Sequence, residues 1–113
     1  MKKERIEKHR FFMRFKVAAV TYNEALFVIN DLKPGAIIEM ERDEGNKHDG
    51  NAIALYYDDY KVGYVPRDKN SELASFIDLG WGEIFEMRVS AINFDAHPEQ
   101  RIEVTIFVNR NEK

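Results

Sequence analysis

The side chains in this sequence that could do chemistry are few and scattered. Three histidines, His9, His48 and His97, stand far apart and have no cysteine to join them, so neither the spacing nor the donor types of a zinc centre are present. No glycine-rich loop ends in Lys-Ser or Lys-Thr, which leaves out a phosphate-cradling nucleotide loop. His48-Asp49 is the nearest approach to an acid–base pair. Neighbours in extended chain point to opposite sides, and no serine or cysteine nucleophile lies beside them. The expectation is a protein without catalytic residues, metal or cofactor, and one that is not an enzyme.

What remains is binding chemistry, concentrated in residues 42–51. Arg42 and Lys47 supply cations, His48 a ring, and Asp49 a carboxylate able to accept hydrogen bonds. Asp49 and Asn51 have a plainer reading too, since such side chains commonly satisfy the backbone of their own loop. Tyr56, Tyr57, Tyr60 and Tyr64 follow closely. By alternation half of them belong to a core, and the rest could stack on nucleobases at ~1–3 kcal/mol each.

The elements that must position this loop are mostly strands. Phe11, Met13, Phe15, Val17 and Ala19 alternate and share one face of a first strand. Thr21 and Glu24 have capping-box spacing, with Leu26, Ile29 and Leu32 as the inner face of a short helix ended by Lys33-Pro34-Gly35. Residues 36–42 read as a second strand. Residues 52–57 and 60–65 form a hairpin turned at Asp58-Asp59. Asp68 or Asn70 can cap a helix with Leu73, Phe76 and Ile77 inside, ending at Gly80. In the last hairpin Phe85, Met87, Val89 and Ala91 share a face, but Ile92 and Phe94 break the parity, as a bulge would. Ile102, Val104, Ile106 and Val108 form its inward partner. The predicted fold is mainly β with one or two short helices, a small six-stranded antiparallel OB-like barrel, partly open.

At 113 residues the chain fits one domain with one core. No apolar run approaches the ~18 residues of a membrane span, and a cytoplasmic protein is expected. The formal charge is −3. Residues 1–16 hold seven basic and two acidic side chains, hence +5, which leaves −8 for the remainder. We divide the chain into a basic N-terminal arm, residues 1–10, and a domain, residues 11–110. A basic arm on an acidic body can track a polyanion or simply be a solvated terminus.

Two motifs are more specific in combination than either is alone. Asp49-Gly50-Asn51-Ala52-Ile53 is followed closely by Val62-Gly63-Tyr64-Val65-Pro66. Together with Val17-Ala18-Ala19-Val20-Thr21 and Leu32-Lys33-Pro34-Gly35, they make residues 15–108 resemble a HIRAN domain. The resemblance implies an OB-related barrel. In some family members this barrel grips a 3′ single-stranded DNA end, on helicase-like chromatin and fork-remodelling proteins; other bacterial members stand alone. It places Asp49 where a carboxylate accepts from the terminal 3′-hydroxyl, Tyr22 where an aromatic stacks near the end base, and Tyr64 beside the backbone phosphates. Phe107 is a further stacking candidate, and Arg42, Lys47, His48 and Asn51 complete the expected nucleic-acid site.

The sequence departs from the family pattern at four positions. His48 stands for a tyrosine, Thr21 for an arginine, and Glu44 and Lys47 for prolines, changes that weaken stacking, remove a phosphate contact and loosen the loop. The expected partner is a single-stranded DNA 3′ end, in a DNA-repair setting with a protein such as a helicase or nuclease. The alternative is a protein-interaction module that uses the same groove or a strand edge.

Overall fold

β-branched and aromatic residues build six strands in the computed structural model, which describes residues 9–109. They are β1 (His9–Lys16), β2 (Ile37–Arg42), β3 (Ile53–Tyr57), β4 (Tyr60–Tyr64), β5 (Phe85–Ile92) and β6 (Ile102–Asn109). All neighbours are antiparallel, in the order β1-β6-β5-β2-β3-β4. The basic arm lies outside the described residues except His9 and Arg10, which begin β1.

The open sheet is drawn together at one seam. Just past β1, Ala18 donates its N–H to the Tyr64 carbonyl at 2.9 Å, and Tyr64 donates back to Ala18 at 2.8 Å. Gly63 makes this approach possible. A Cβ there would lie 2.4 Å from the Ala18 oxygen and 2.5 Å from Val17 Cγ1, which explains the glycine of Val62-Gly63-Tyr64. Val17, Leu32, Leu55, Val62, Leu73 and Ile106 are buried inside, and each such side chain contributes about 1.5–3 kcal/mol.

Three bulges decide which residues face that core. On β6, Ile102, Val104 and Ile106 point inward as the alternation requires, while Val108 is half-buried. The parity break in β5 is a register shift between Val89 and Ala91, so Ser90 is the extra residue and Ala91 is exposed. A shift between Leu55 and Tyr56 on the β3–β4 pair leaves none of the four hairpin tyrosines fully buried. The third corrects the first-strand reading. The register shifts between Phe11 and Met13, so Phe11 is exposed and Phe12 packs on the core instead.

The segment after β1 also differs from its pattern. Val20–Tyr22 is a single 3₁₀ turn and α1 is only Ala25–Val28. Its buried residues are Ala25 and Val28, with Leu32 beyond, whereas Leu26 is exposed. Glu24 does not close a capping box. Its carboxylate accepts from the Lys61 N–H at 3.0 Å and its own N–H donates to the Lys61 carbonyl at 2.8 Å, which stitches the turn to β4.

The second helix, α2 (Ser71–Asp78), buries Leu73 and Ala74. Phe76 meets Phe12 and Phe85 edge-on, with ring centroids 6.5 and 5.7 Å apart, and aromatic pairs of this geometry add ~0.5–1.5 kcal/mol. The bulge that turned Phe12 inward therefore helps to pin α2 on the sheet.

Candidate functional site

Between β2 and β3 the chain wraps around Asn46. Its Oδ1 accepts the N–H groups of His48 at 2.8 Å and Asp49 at 3.0 Å, while its Nδ2 reaches Asp43 Oδ2 at 3.3 Å. Asp49 Oδ1 in turn accepts from the Asn51 N–H at 2.9 Å. This is the local side-chain bonding for which Asn and Asp are favoured in turns. It organises residues 43–51 without the prolines that Glu44 and Lys47 replace.

Three long-range ties fix the loop to the barrel. Arg42 donates from Nη1 to the Ala52 carbonyl at 2.7 Å, from Nη2 to the Gly50 carbonyl at 3.0 Å, and from Nε to Asp78 Oδ1 at 2.9 Å. Its side chain is only 12% exposed, so this guanidinium is a clamp between the loop and the end of α2, not a cation offered to a ligand. The Asp78 hydrogen bond pushes its pKa up from the ordinary value. Asn70 is 1% exposed; rather than capping α2 with its side chain, it donates Nδ2 to Asp49 Oδ2 at 2.8 Å. Arg67 donates to the His48 carbonyl and holds its Nε 3.7 Å from Asp49 Oδ2.

Asp49 is thus oriented at both oxygens and remains partly open, its side chain 21% exposed. The Asn51 N–H, followed by Asn70 and the nearby arginines, holds its pKa below the usual carboxylate value against the opposing effect of desolvation. It is an ionised acceptor. Two carboxylate oxygens offer about four lone-pair sites, so these partners leave capacity for one more donor.

A second chain of bonds runs from β4 to Asp43 in the same loop. Lys61 Nζ donates to Tyr64 Oη at 2.9 Å, and Tyr64 Oη donates to Asp43 Oδ2 at 2.6 Å. The Tyr64 bond, then Asn46, lowers the Asp43 pKa, and the Tyr64 oxygen raises that of Lys61. Through Asn46 this chain joins the Asp49 loop in one network. The half-buried Tyr64 ring therefore carries the Lys61 ammonium 4.9 Å from its centroid.

The remaining candidates are placed as follows. Lys47 and His48 are exposed on the loop. Asn51 contributes its backbone to Asp49, with its side chain outside. Tyr22 is 88% exposed, on the 3₁₀ turn that follows the Ala18–Tyr64 seam. Beside it, Glu99 accepts the N–H groups of Val20 and Thr21 at 3.2 and 2.6 Å. Burial raises the Glu99 pKa, but the bonds from Thr21, Val20 and Ala19 together bring it below the ordinary value. A recess of about 300 Å³ lies along Thr21, Leu26, Ile29, Pro98 and Arg101. Phe107 is half-buried on β6, opposite Phe11 and Glu86, with β5 between its strand and β2; it is set apart from the loop in strand order.

Residue-type reasoning overlooked Asp43, Lys61, Arg67 and Asn70. Arg67 carried a signal, because it directly follows Val65-Pro66 and is the first cation after the second motif. Among the described residues no group of three or more His, Cys, Asp or Glu side chains could hold a metal ion, and no helix is long and apolar enough to cross a membrane.

The sequence profile of the HIRAN domain family matches residues 11–109. No curated protein matches the chain. A crystal structure of a protein from Lactobacillus plantarum superposes with a TM-score of 0.76 at 22% identity, over 88% of this chain and 94% of that one. The crystal structure of the HIRAN domain of human HLTF superposes with a TM-score of 0.60 at 17% identity, over 86% of this chain and 75% of that one. At these identities the likeness is one of fold, and it agrees with the OB-like barrel.

Proposed function

The chain belongs to the HIRAN domain family, and from that premise we propose that it binds the 3′-hydroxyl end of single-stranded DNA at residues 43–51. HIRAN domains are in general nucleic-acid-binding modules. The observation that carries the finer reading is the state of Asp49: ionised, held by Asn51 and Asn70, and still partly open beside Arg67. Such a carboxylate accepts from a hydroxyl and repels a terminal phosphate.

The other groups have complementary roles in this reading. Tyr22 stacks on a terminal base, a contact worth ~1–3 kcal/mol. Arg67, 70% exposed, meets a backbone phosphate, and Lys47 and Lys61 add charge. Thr21 and its Glu99 partner offer no positive charge where the family carries an arginine, so stacking and end recognition outweigh phosphate neutralisation here.

The test is direct. A fluorescent oligonucleotide ending in a 3′-hydroxyl should bind the protein about tenfold tighter than the same strand ending in a 3′-phosphate, a difference of ~1.4 kcal/mol. Equal affinity for both would overturn end recognition.

A further inference from the structure

On the opposite side of β2 from β3 the sheet splits. Val89 donates its N–H to the Ala36 carbonyl at 2.9 Å, and the β2–β5 ladder ends at Ile38–Met87. Backbone groups of an antiparallel strand alternate between its two neighbours. The next groups aimed at the missing rungs are those of Met40 on β2 and the carbonyl of Phe85 on β5, whose N–H is already given to the Gly82 carbonyl, and among the described residues no strand lies between them.

A cleft of about 530 Å³ occupies this split. Ile37, Met40, Ile77 and Phe85 form apolar walls, and Glu39, Glu83 and Glu86 supply carboxylates. Among the described residues no lysine, arginine or histidine lines it. The nearby Arg88 is engaged by Glu86 and by the Gly35 carbonyl. Through Glu39 and Met40 the cleft adjoins a second recess of about 350 Å³, where Glu41, Asp58 and Asp59 continue the negative lining. This acidic lining disfavours a polyanion, which sets the track apart from the site proposed for DNA.

We propose that the β2–β5 cleft receives an extended cationic peptide strand from a protein partner. The peptide backbone continues the interrupted ladder at Met40 and at the Phe85 carbonyl, one row of its side chains fills the apolar walls, and lysines or arginines in the other row meet Glu39, Glu83 and the adjoining acids. Strand addition of this kind draws affinity from main-chain hydrogen bonds and specificity from alternate side chains, while charge complementarity selects the partner.

The experiment uses the full chain and three blocked synthetic peptides: an alternating Lys-Val heptapeptide, its Glu-Val counterpart, and the Lys-Val peptide with N-methylated valines. The Lys-Val peptide should bind and shift the amide resonances of Met40 and of Glu86, whose N–H shares a peptide group with the Phe85 carbonyl. The Glu-Val and N-methylated peptides should bind at least about tenfold more weakly, as should the Lys-Val peptide to Glu39→Lys/Glu83→Lys. That variant should keep the affinity of the wild type for a 3′-hydroxyl oligonucleotide. Equal binding of the N-methylated peptide would overturn the strand pairing, equal binding of the Glu-Val peptide would overturn the charge selection, and shifts centred on Lys61 and Tyr64 would move the peptide to the other face.

Discussion

Asn70 Nδ2 stands 2.8 Å from Asp49 Oδ2, so a buried amide just before α2 sets the direction of a loop carboxylate 21 residues earlier. Leu73 and Ala74 bury the helix, Phe76 packs it against Phe12 and Phe85, and the residue before it and its last residue reach Asp49 and Arg42. Asn70→Ala should lower stability by about 1–3 kcal/mol, because it leaves a half-satisfied carboxylate at a partly buried position. Urea denaturation measures that loss. Selectivity for a 3′-hydroxyl over a 3′-phosphate should narrow in the same variant; unchanged selectivity would show that Asp49 needs no support from Asn70.

Arg42 should behave as a structural residue. Lysine cannot reproduce its fork onto Asp78 and two loop carbonyls, so Arg42→Lys should cost about 1–2 kcal/mol. Most of this comes from the Gly50 and Ala52 bonds, since the Asp78 side chain is half exposed and its pairing is screened. Arg67→Ala should show the reverse profile, with little change in melting temperature and a smaller salt dependence of oligonucleotide binding. An Arg42→Lys protein that melts like the wild type would refute the clamp.

Asp43 and Asp49 both have depressed pKa values in the folded protein. Such groups add stability that is fully present above their unfolded value, near the ordinary 3.8, and is lost as pH falls through the lower folded value. Stability should therefore fall as pH drops below about 4, and Asp49→Asn should flatten that part of the profile. Chemical denaturation at stepped pH supplies the comparison. A mutant curve parallel to that of the wild type would mean that Asp49 gains no such stabilisation on folding.

Removing one oxygen should break the second chain of bonds. Tyr64→Phe keeps the ring and deletes both the link to Asp43 and the acceptor for Lys61, at about 1–2 kcal/mol. The Lys61 amine pKa should then fall toward its ordinary value, which side-chain NMR titration reads directly.

The seam invites a harsher substitution. Gly63→Ala sets a Cβ 2.4 Å from the Ala18 oxygen, and the backbone must give way because a carbonyl cannot rotate aside as a side chain can. A loss of about 3 kcal/mol or more is expected, in the range that marks overpacking and backbone strain. The amides of Ala18 and Tyr64 should lose hydrogen-exchange protection first.

Alternation was enough to place the strands, because Ile102, Val104 and Ile106 or Phe15 and Val17 repeat with the period of a pleated sheet and are buried where that period puts them. It failed at Phe11 and Phe12, since one extra residue puts Phe11 out of phase with Phe15 and Val17 and nothing local in Phe11-Phe12-Met13 marks which residue is extra. The loop itself was legible from its turn-forming residues and paired motifs. Its supports were not: whether Arg42 is a clamp or a free cation depends on Asp78, 36 positions away, and Asn70 looks like any helix cap until the fold brings Asp49 to it.

β1 pairs with β6, His9 opposite Asn109, so the first strand completed is bonded to the last. During synthesis β1 waits until β6 has been made, roughly 5–20 s later at ordinary elongation rates. Until then β5 and β2–β4 can assemble, but the barrel lacks one wall, and Phe12 cannot pack on Phe76 and Phe85 until that wall arrives. Such long-separation pairing also makes for slow folding. The growing chain exposes an unpaired β1 throughout this wait, and its charged residues Arg10, Arg14 and Lys16 guard that strand against joining another nascent copy.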